Sequence, residues 1–233
     1  LIFLALALAS AFSFAQSNRP ISIGLITTGT ETGEAAAAHR FLQQQQDFRS
    51  RTLSYEDLRG GTGVTHTWIH RISEKPATGQ EVTAGTALKD FVRNGGNLIL
   101  SMDAVRLLND WGIEKNRFSV RTDSVKDEGF GRPLGFHAFK SHPVFEGLHG
   151  GAYPWKGKTD HVIRKNGFFG TELPDTTIAR VIGIEWTYIT FHEQNKLVLE
   201  YPYGKGKILA VGAYSYFAPG NFHTLQLHRF YRN

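Results

Sequence analysis

Apolar residues along the chain fall into short blocks rich in β-branched side chains and longer stretches with helical spacing, and the two alternate through the first half. Residues 21–28 (ISIGLITT) predict a buried strand, and Gly29-Thr30-Glu31-Thr32-Gly33 a turn. The Ala- and Gln-rich stretch 34–46 favours a helix. Residues 51–55 predict a weak second strand and 65–72 a third. Residues 86–93 place Ala87, Leu88, Phe91 and Val92 on one helical stripe, closed by Asn94-Gly95-Gly96. Residues 97–101 (NLILS) predict a fourth, buried strand, and 104–111 a helix stopped by Gly112. Such alternation implies right-handed crossovers and a mainly parallel sheet, hence an α/β fold.

After Phe118 the texture changes. Strand-like runs appear at 162–163, 179–186, 197–200 and 207–213, and Tyr203-Gly204-Lys205-Gly206 predicts a hairpin turn between antiparallel strands. Residues 221–231 predict a closing helix. The Gly-rich stretch 129–151 is the least regular and is expected to form a loop over the sheet edge. Neither an internal repeat nor a linker interrupts residues 16–233, which are expected to form one domain.

Composition adds a compartment. Residues 1–14 carry no charge, and Ser13-Phe14-Ala15 before Gln16 has the small-x-small form of a signal-peptidase site. The run is short of the roughly 20 residues a membrane span needs. Residues 1–15 are therefore expected to be an export signal, and the mature protein to be secreted or periplasmic without a membrane span. The sequence starts at Leu1 without a basic segment and stops at Asn233 in a helical pattern, as a record clipped at both ends would. It contains no cysteine, so packing alone must hold the fold. The net charge of +5 is spread among acids, as in Lys126-Asp127-Glu128, which argues against nucleic acid as a partner.

Three segments together carry a family resemblance. The stretch 87–101 (ALKDFVRNGGNLILS) resembles the helix–Gly-Gly–strand of class I glutamine-amidotransferase-like domains, including the ThuA-like group and the trimerisation domain of some β-galactosidases. His142-Pro143-Val144-Phe145-Glu146-Gly147-Leu148 resembles a later segment of that group, and 204–212 (GKGKILAVG) its closing hairpin and strand. The resemblance implies a flavodoxin-like three-layer sandwich, and relatives that are secreted and accompany carbohydrate-degrading modules. It does not imply glutamine hydrolysis. The strand 97–101 leads into Ser101-Met102-Asp103-Ala104 where the active enzymes carry Cys, and Asp103 is expected at the elbow. A carboxylate there cannot replace a thiolate as nucleophile.

Candidate chemistry follows from placement. Ligands of open α/β sheets bind beyond the C-terminal ends of the strands. That rule collects Thr28, Thr30, His70, Arg71, Asp103 and His137 as an expected ligand-binding edge. Each has a bland alternative: Asp103 as a first-turn acid of a helix, His70-Arg71 as an exposed basic pair, His142 as a turn residue before proline. His66 and His70, about 13 Å apart on one strand face, cannot share a metal. His223 and His228 point different ways on a helix, and no metal site is expected. The Thr28–Gly33 turn resembles a flavin phosphate loop, but the matching ring-binding loops are missing, so no cofactor is expected. Ser101 lacks a Gly-x-Ser-x-Gly setting. Trp155, Trp186, Tyr188, Tyr201, Tyr203, Tyr214 and Tyr216 crowd the second half, either as core or as platforms for sugar rings.

Three functional readings remain open. One is a binding or accessory domain in carbohydrate utilisation. Another is a carbohydrate- or ester-directed hydrolase using Asp103, Glu185 or Glu200 with a histidine, which for glycosidic chemistry needs two carboxyls roughly 5–9 Å apart. The third is a structural or oligomerising domain, either self-associating or joined to a glycan-degrading module.

Overall fold

The structure is a computed structural model that describes residues 20–30, 32–125, 134–152, 161–187, 190–218 and 224–233. The expected export signal at 1–15, together with Trp155, Tyr188 and His223, lies outside the described residues.

The first half alternates as its pattern predicts: β1 (Ile21–Ile26), α1 (Thr32–Gln43), β2 (Phe48–Thr52), β3 (His66–Arg71), α2 (Gly79–Arg93), β4 (Asn97–Met102) and the single turn α3 (Leu107–Asp110). The second half continues with β5 (Ser119–Val125), β6 (Leu134–Ala138), β7 (Gly151–Ala152), β8 (His161–Gly167), β9 (Arg180–Thr187), β10 (Thr190–Tyr203), β11 (Gly206–Val211) and α4 (Thr224–Arg232). Nine strands form one mixed sheet in the order β2-β1-β3-β4-β11-β10-β9-β6-β7. Strands β2 through β11 in that order are parallel, and the remainder are antiparallel. The fold is therefore α/β with a large mixed sheet, and four α-helices among the described residues.

Local chemistry explains the element ends. Helix α2 begins seven residues before its apolar stripe suggests, because Thr78 and Glu81 form a reciprocal capping box. Residues 103–106 form a 3-10 turn rather than the start of the helix expected at 104–111. The Gly204-Lys205 turn joins β10 to β11 as the expected hairpin, with Gly204 at φ +64. Strand β11 then packs so closely that a Cβ at Gly206 would overlap the Gly96 carbonyl oxygen.

Alternation along the strands loads both faces of the sheet. One face sets Ile69, Leu98, Leu100 and Ile208 against Ala84, Leu88 and Val92 of α2. The other sets Leu25, Trp68 and Met102 against Ala38, Phe41 and Leu42 of α1 and Leu227 of α4. Each large apolar side chain so buried contributes about 1.5–3 kcal/mol. Tyr201, Tyr214 and Tyr216 belong to these cores, so packing accounts for them.

Two expectations need correction. The stretch 129–151 is not one loop over the sheet edge, because β6 and β7 within it extend the main sheet. The cover comes instead from β5 and β8, a separate two-stranded sheet of which the sequence shows only the run at 162–163. Strand β8 crosses the ends of the central strands, with Asn166 N–H donating to the Gly212 carbonyl at 2.9 Å.

Candidate functional site

The chain runs from β1 to β2 on one side and through β3 and β4 on the other, so strand order reverses between β1 and β3. That reversal is where open α/β sheets receive ligands. Thr28 and Thr30 follow β1, His70 and Arg71 end β3, and Asp103 follows β4, so five of the six expected edge residues gather there. His137 does not. It lies on β6, five strand positions from β3, or roughly 24 Å at about 4.8 Å per strand. Its Nδ1 lies 2.8 Å from the Ala138 carbonyl, and its ring packs on Trp186 and Phe191.

Most of the gathered side chains are committed to the protein. Thr30 Oγ1 donates to the His70 carbonyl at 2.9 Å and accepts from Ile72 N–H at 3.3 Å, tying the loops after β1 and β3 together. Arg71 is buried and donates to the Glu81 carboxylate at 2.8 Å and to the carbonyls of Ser73, Lys75 and Pro76. It holds the β3–α2 loop against the capping box, rather than forming an exposed basic pair with His70. Asp103 is fully buried and accepts from Arg164 Nε at 2.7 Å, Ser73 N–H at 2.9 Å and Asn166 Nδ2 at 3.2 Å. Arg164 and Asn166 come from β8, so the strand that roofs the sheet end also neutralises the acid beneath it.

The elbow itself is one residue earlier than expected. Asp103 has ordinary helical placement, whereas Met102 has φ 59 and ψ −127, a conformation that costs a side-chain-bearing residue about 1–3 kcal/mol. A sharp strand-to-helix turn of this kind presents the nucleophile in hydrolases that use one. Here it presents a thioether, which has no proton to lose. Met102 is buried, and its Sδ accepts from Ser215 N–H at 3.0 Å.

Beside the elbow runs a buried polar chain that the sequence reading did not assemble. His70 Nε2 lies 3.0 Å from Glu34 Oε1, and His70 Nδ1 lies 2.7 Å from Ser101 Oγ. With Glu34 accepting from Nε2–H, the Nδ1 lone pair accepts from the Ser101 hydroxyl, whose oxygen in turn accepts from Trp68 Nε1 at 2.8 Å. Glu34 also accepts from Phe217 N–H at 2.7 Å and Ala218 N–H at 2.6 Å. Glu34, His70 and Ser101 are each 0% exposed. Tyr231 adds a hydroxyl that donates to Ser215 Oγ at 2.9 Å, and burial pushes its phenol well above the usual range. The order nucleophile–imidazole–carboxylate matches acyl-transfer sites, but no face of it is open.

The three candidate carboxylates are kept apart. Asp103 pairs with Arg164, while Glu185 pairs with Lys165 Nζ at 2.7 Å and accepts from Asn195 Nδ2 at 2.7 Å. Adjacent residues of β8 point to opposite faces, so Arg164 and Lys165 hold these two acids on opposite sides of that strand. Glu200 pairs with His142 and Lys207 near the start of β9, where its register partner is Arg180. Glu185 is five residues further along β9, about 17 Å away. No two of them share a site suited to paired-carboxylate glycoside hydrolysis.

No protein-family model matches the chain, and no curated protein matches it. Among solved structures it is similar to PurLQS from Thermotoga maritima, with a TM-score of 0.56 and 8% identity over 91% of this chain and 96% of that one. It is also similar to a β-galactosidase from Bacillus circulans sp. alkalophilus, with a TM-score of 0.52 and 8% identity over 91% of this chain. A β-galactosidase from Rahnella sp. R3 gives a TM-score of 0.52 and 12% identity over 92%. The chain spans 30% of the length of each β-galactosidase. At these identities the likeness shows the fold alone, and that fold is consistent with the glutamine-amidotransferase-like architecture expected from the sequence.

Proposed function

We propose that this chain is an exported glutamine-amidotransferase-like domain of flavodoxin-like, three-layer form that serves carbohydrate utilisation as a binding or accessory unit and performs no amidotransferase chemistry. The observation that carries this reading is Met102 in the strained elbow position, where acyl-transfer chemistry needs an ionisable nucleophile. Likeness to a portion of two β-galactosidase chains supports the carbohydrate context. The ligand edge lies at the β1/β3 reversal, where Thr28 and Thr30 keep partial exposure, while His70, Arg71 and Asp103 hold its shape from beneath.

A glycan array followed by calorimetry tests this reading, with glutamine hydrolysis measured in parallel. Saturable binding of a glycan without glutamine turnover is expected. Silence across all polysaccharides and oligosaccharides, or measurable glutamine turnover, overturns it. One specific observation favours a hydrolytic alternative: the Ser101–His70–Glu34 chain has the connectivity of a serine hydrolase. The same preparation treated with a fluorophosphonate ester decides between the two, since labelling at Ser101 would establish an accessible nucleophile.

A further inference from the structure

A cavity lies at the opposite end of the sheet from the proposed ligand edge, beneath the N-terminal ends of β1, β3, β4 and β11. Its volume is about 420 Å3, and its walls include Ile23, Leu209, Phe230 and Tyr231. Mostly apolar walls with a few convergent polar groups are the usual make-up of a small-molecule site.

Its polar groups have a definite charge balance. Glu200 is buried, and His142 Nε2 and Lys207 Nζ each lie 3.1 Å from its Oε2. His142 Nδ1 accepts from Val144 N–H at 3.3 Å, which leaves Nε2–H to donate to Glu200. Burial opposes ionisation of Glu200, but the hydrogen bonds from His142 and Lys207 outweigh it and hold the carboxyl below the usual range. The carboxylate is therefore charged near neutral pH. Its other oxygen, Oε1, faces Arg180 Nη1 at 3.9 Å, outside hydrogen-bond distance, and retains acceptor capacity. Arg180 and Lys207 are 50% and 61% exposed at the rim. Arg232, also at the rim, is paired with Asp47. Burial lowers His66 toward its neutral form. Two cations, Arg180 and Lys207, against the one carboxylate of Glu200 leave the rim with an excess of positive charge.

We infer that this cavity binds a sugar acid, a hexuronate unit whose carboxylate meets Lys207 and Arg180 and whose hydroxyls donate to Glu200 Oε1. A monoanion complements this excess, whereas the fixed carboxylate in the wall repels phosphate or sulfate dianions. A neutral sugar leaves the rim cations unmatched, and a fatty acid offers no hydroxyl to Glu200. The apolar walls suit the C–H faces of a pyranose ring. The saccharide skeleton rests on the carbohydrate reading above; the charge rests on the cavity alone.

Calorimetry and 1H–15N shift mapping of the whole chain with D-glucuronate and D-galacturonate test the inference, with D-glucose, acetate and inorganic phosphate as comparison ligands. One hexuronate is expected to bind at least tenfold more tightly than any comparison ligand, with shifts around Glu200 and Lys207. Arg180→Met, a change at an exposed rim position, and Glu200→Gln are each expected to weaken it at least fivefold while circular dichroism stays native. Absence of saturable hexuronate binding, equal affinity for glucose, or unchanged affinity in Arg180→Met overturns the inference. Hexuronate shifts confined to Thr28 and Thr30 also overturn it but leave the glycan reading standing. So does binding of other glycans without hexuronate. If no glycan binds anywhere, both fall.

Discussion

Met102 holds a backbone conformation that glycine adopts freely and other residues adopt at a cost. Two truncations separate that cost from packing. Met102→Ala keeps the strain and loses the buried side chain, for about 2–5 kcal/mol. Met102→Gly loses the same packing but relaxes the backbone, so it is expected to be more stable than the alanine variant by about 1 kcal/mol. Urea denaturation of both variants checks this; in an ordinary strand the order would be reversed. The sequence pattern ends the strand at Ser101 because serine reads as a polar stop. In the fold, Trp68 and His70, 33 and 31 residues away, satisfy that hydroxyl inside the core and let the strand run on to Met102. A single sequence does not display long-range satisfaction of this kind. Glu34 was invisible for the same reason, since its partners sit on β3 and after β11.

Glu34 links α1 to the segment after β11 through two backbone N–H groups. Hydrogen bonds to a charged acceptor contribute about 1.5–3 kcal/mol each. Glu34→Ala is therefore expected to cost about 3 kcal/mol and to raise amide exchange at Phe217 and Ala218 more than within β4, as read by hydrogen-exchange mass spectrometry. Unchanged exchange at 217–218 would remove Glu34 from this role. Strands β1, β3, β4 and β11 were legible because burial on both faces makes them nearly continuous apolar runs, whereas β2 (FRSRT), a largely exposed edge strand, lies at 48–52 rather than at the expected 51–55. Strand β5 (SVRTDSV) was not legible, and β8 (HVIRKNG) showed only its Val162-Ile163 pair, because polar and charged residues fill most of both. Their charges look like surface, yet Lys165 is 1% exposed and paired with Glu185. Helix α2 hid its start because the Thr78–Glu81 box precedes the apolar stripe.

Acid acts on the folded protein in one direction. Burial lowers His39, His66 and His228, so the unfolded chain takes up their protons first. Their contribution is present above about pH 6.5 and is lost as pH falls through the folded values. For Glu200 and Asp123, burial works against ionisation, but hydrogen bonds and nearby cations prevail and depress both. Their contribution is present above the ordinary carboxylate range, about pH 4, and disappears at lower pH. The urea midpoint is expected to fall in two stages between pH 7 and pH 3. His66→Gln should flatten the upper stage and Glu200→Gln the lower; a midpoint constant from pH 7 to 5 would contradict the first. The nine-stranded sheet has one further consequence for how the chain comes into being. Among the described residues, strand β11 is the one strand that joins β4 to β10. Until it arrives, the parallel and antiparallel halves have no shared ladder, and both faces beside the gap stay exposed. Formation of the nine-stranded sheet as one unit therefore waits on residues 206–211, whatever order its two halves take up their own ladders in.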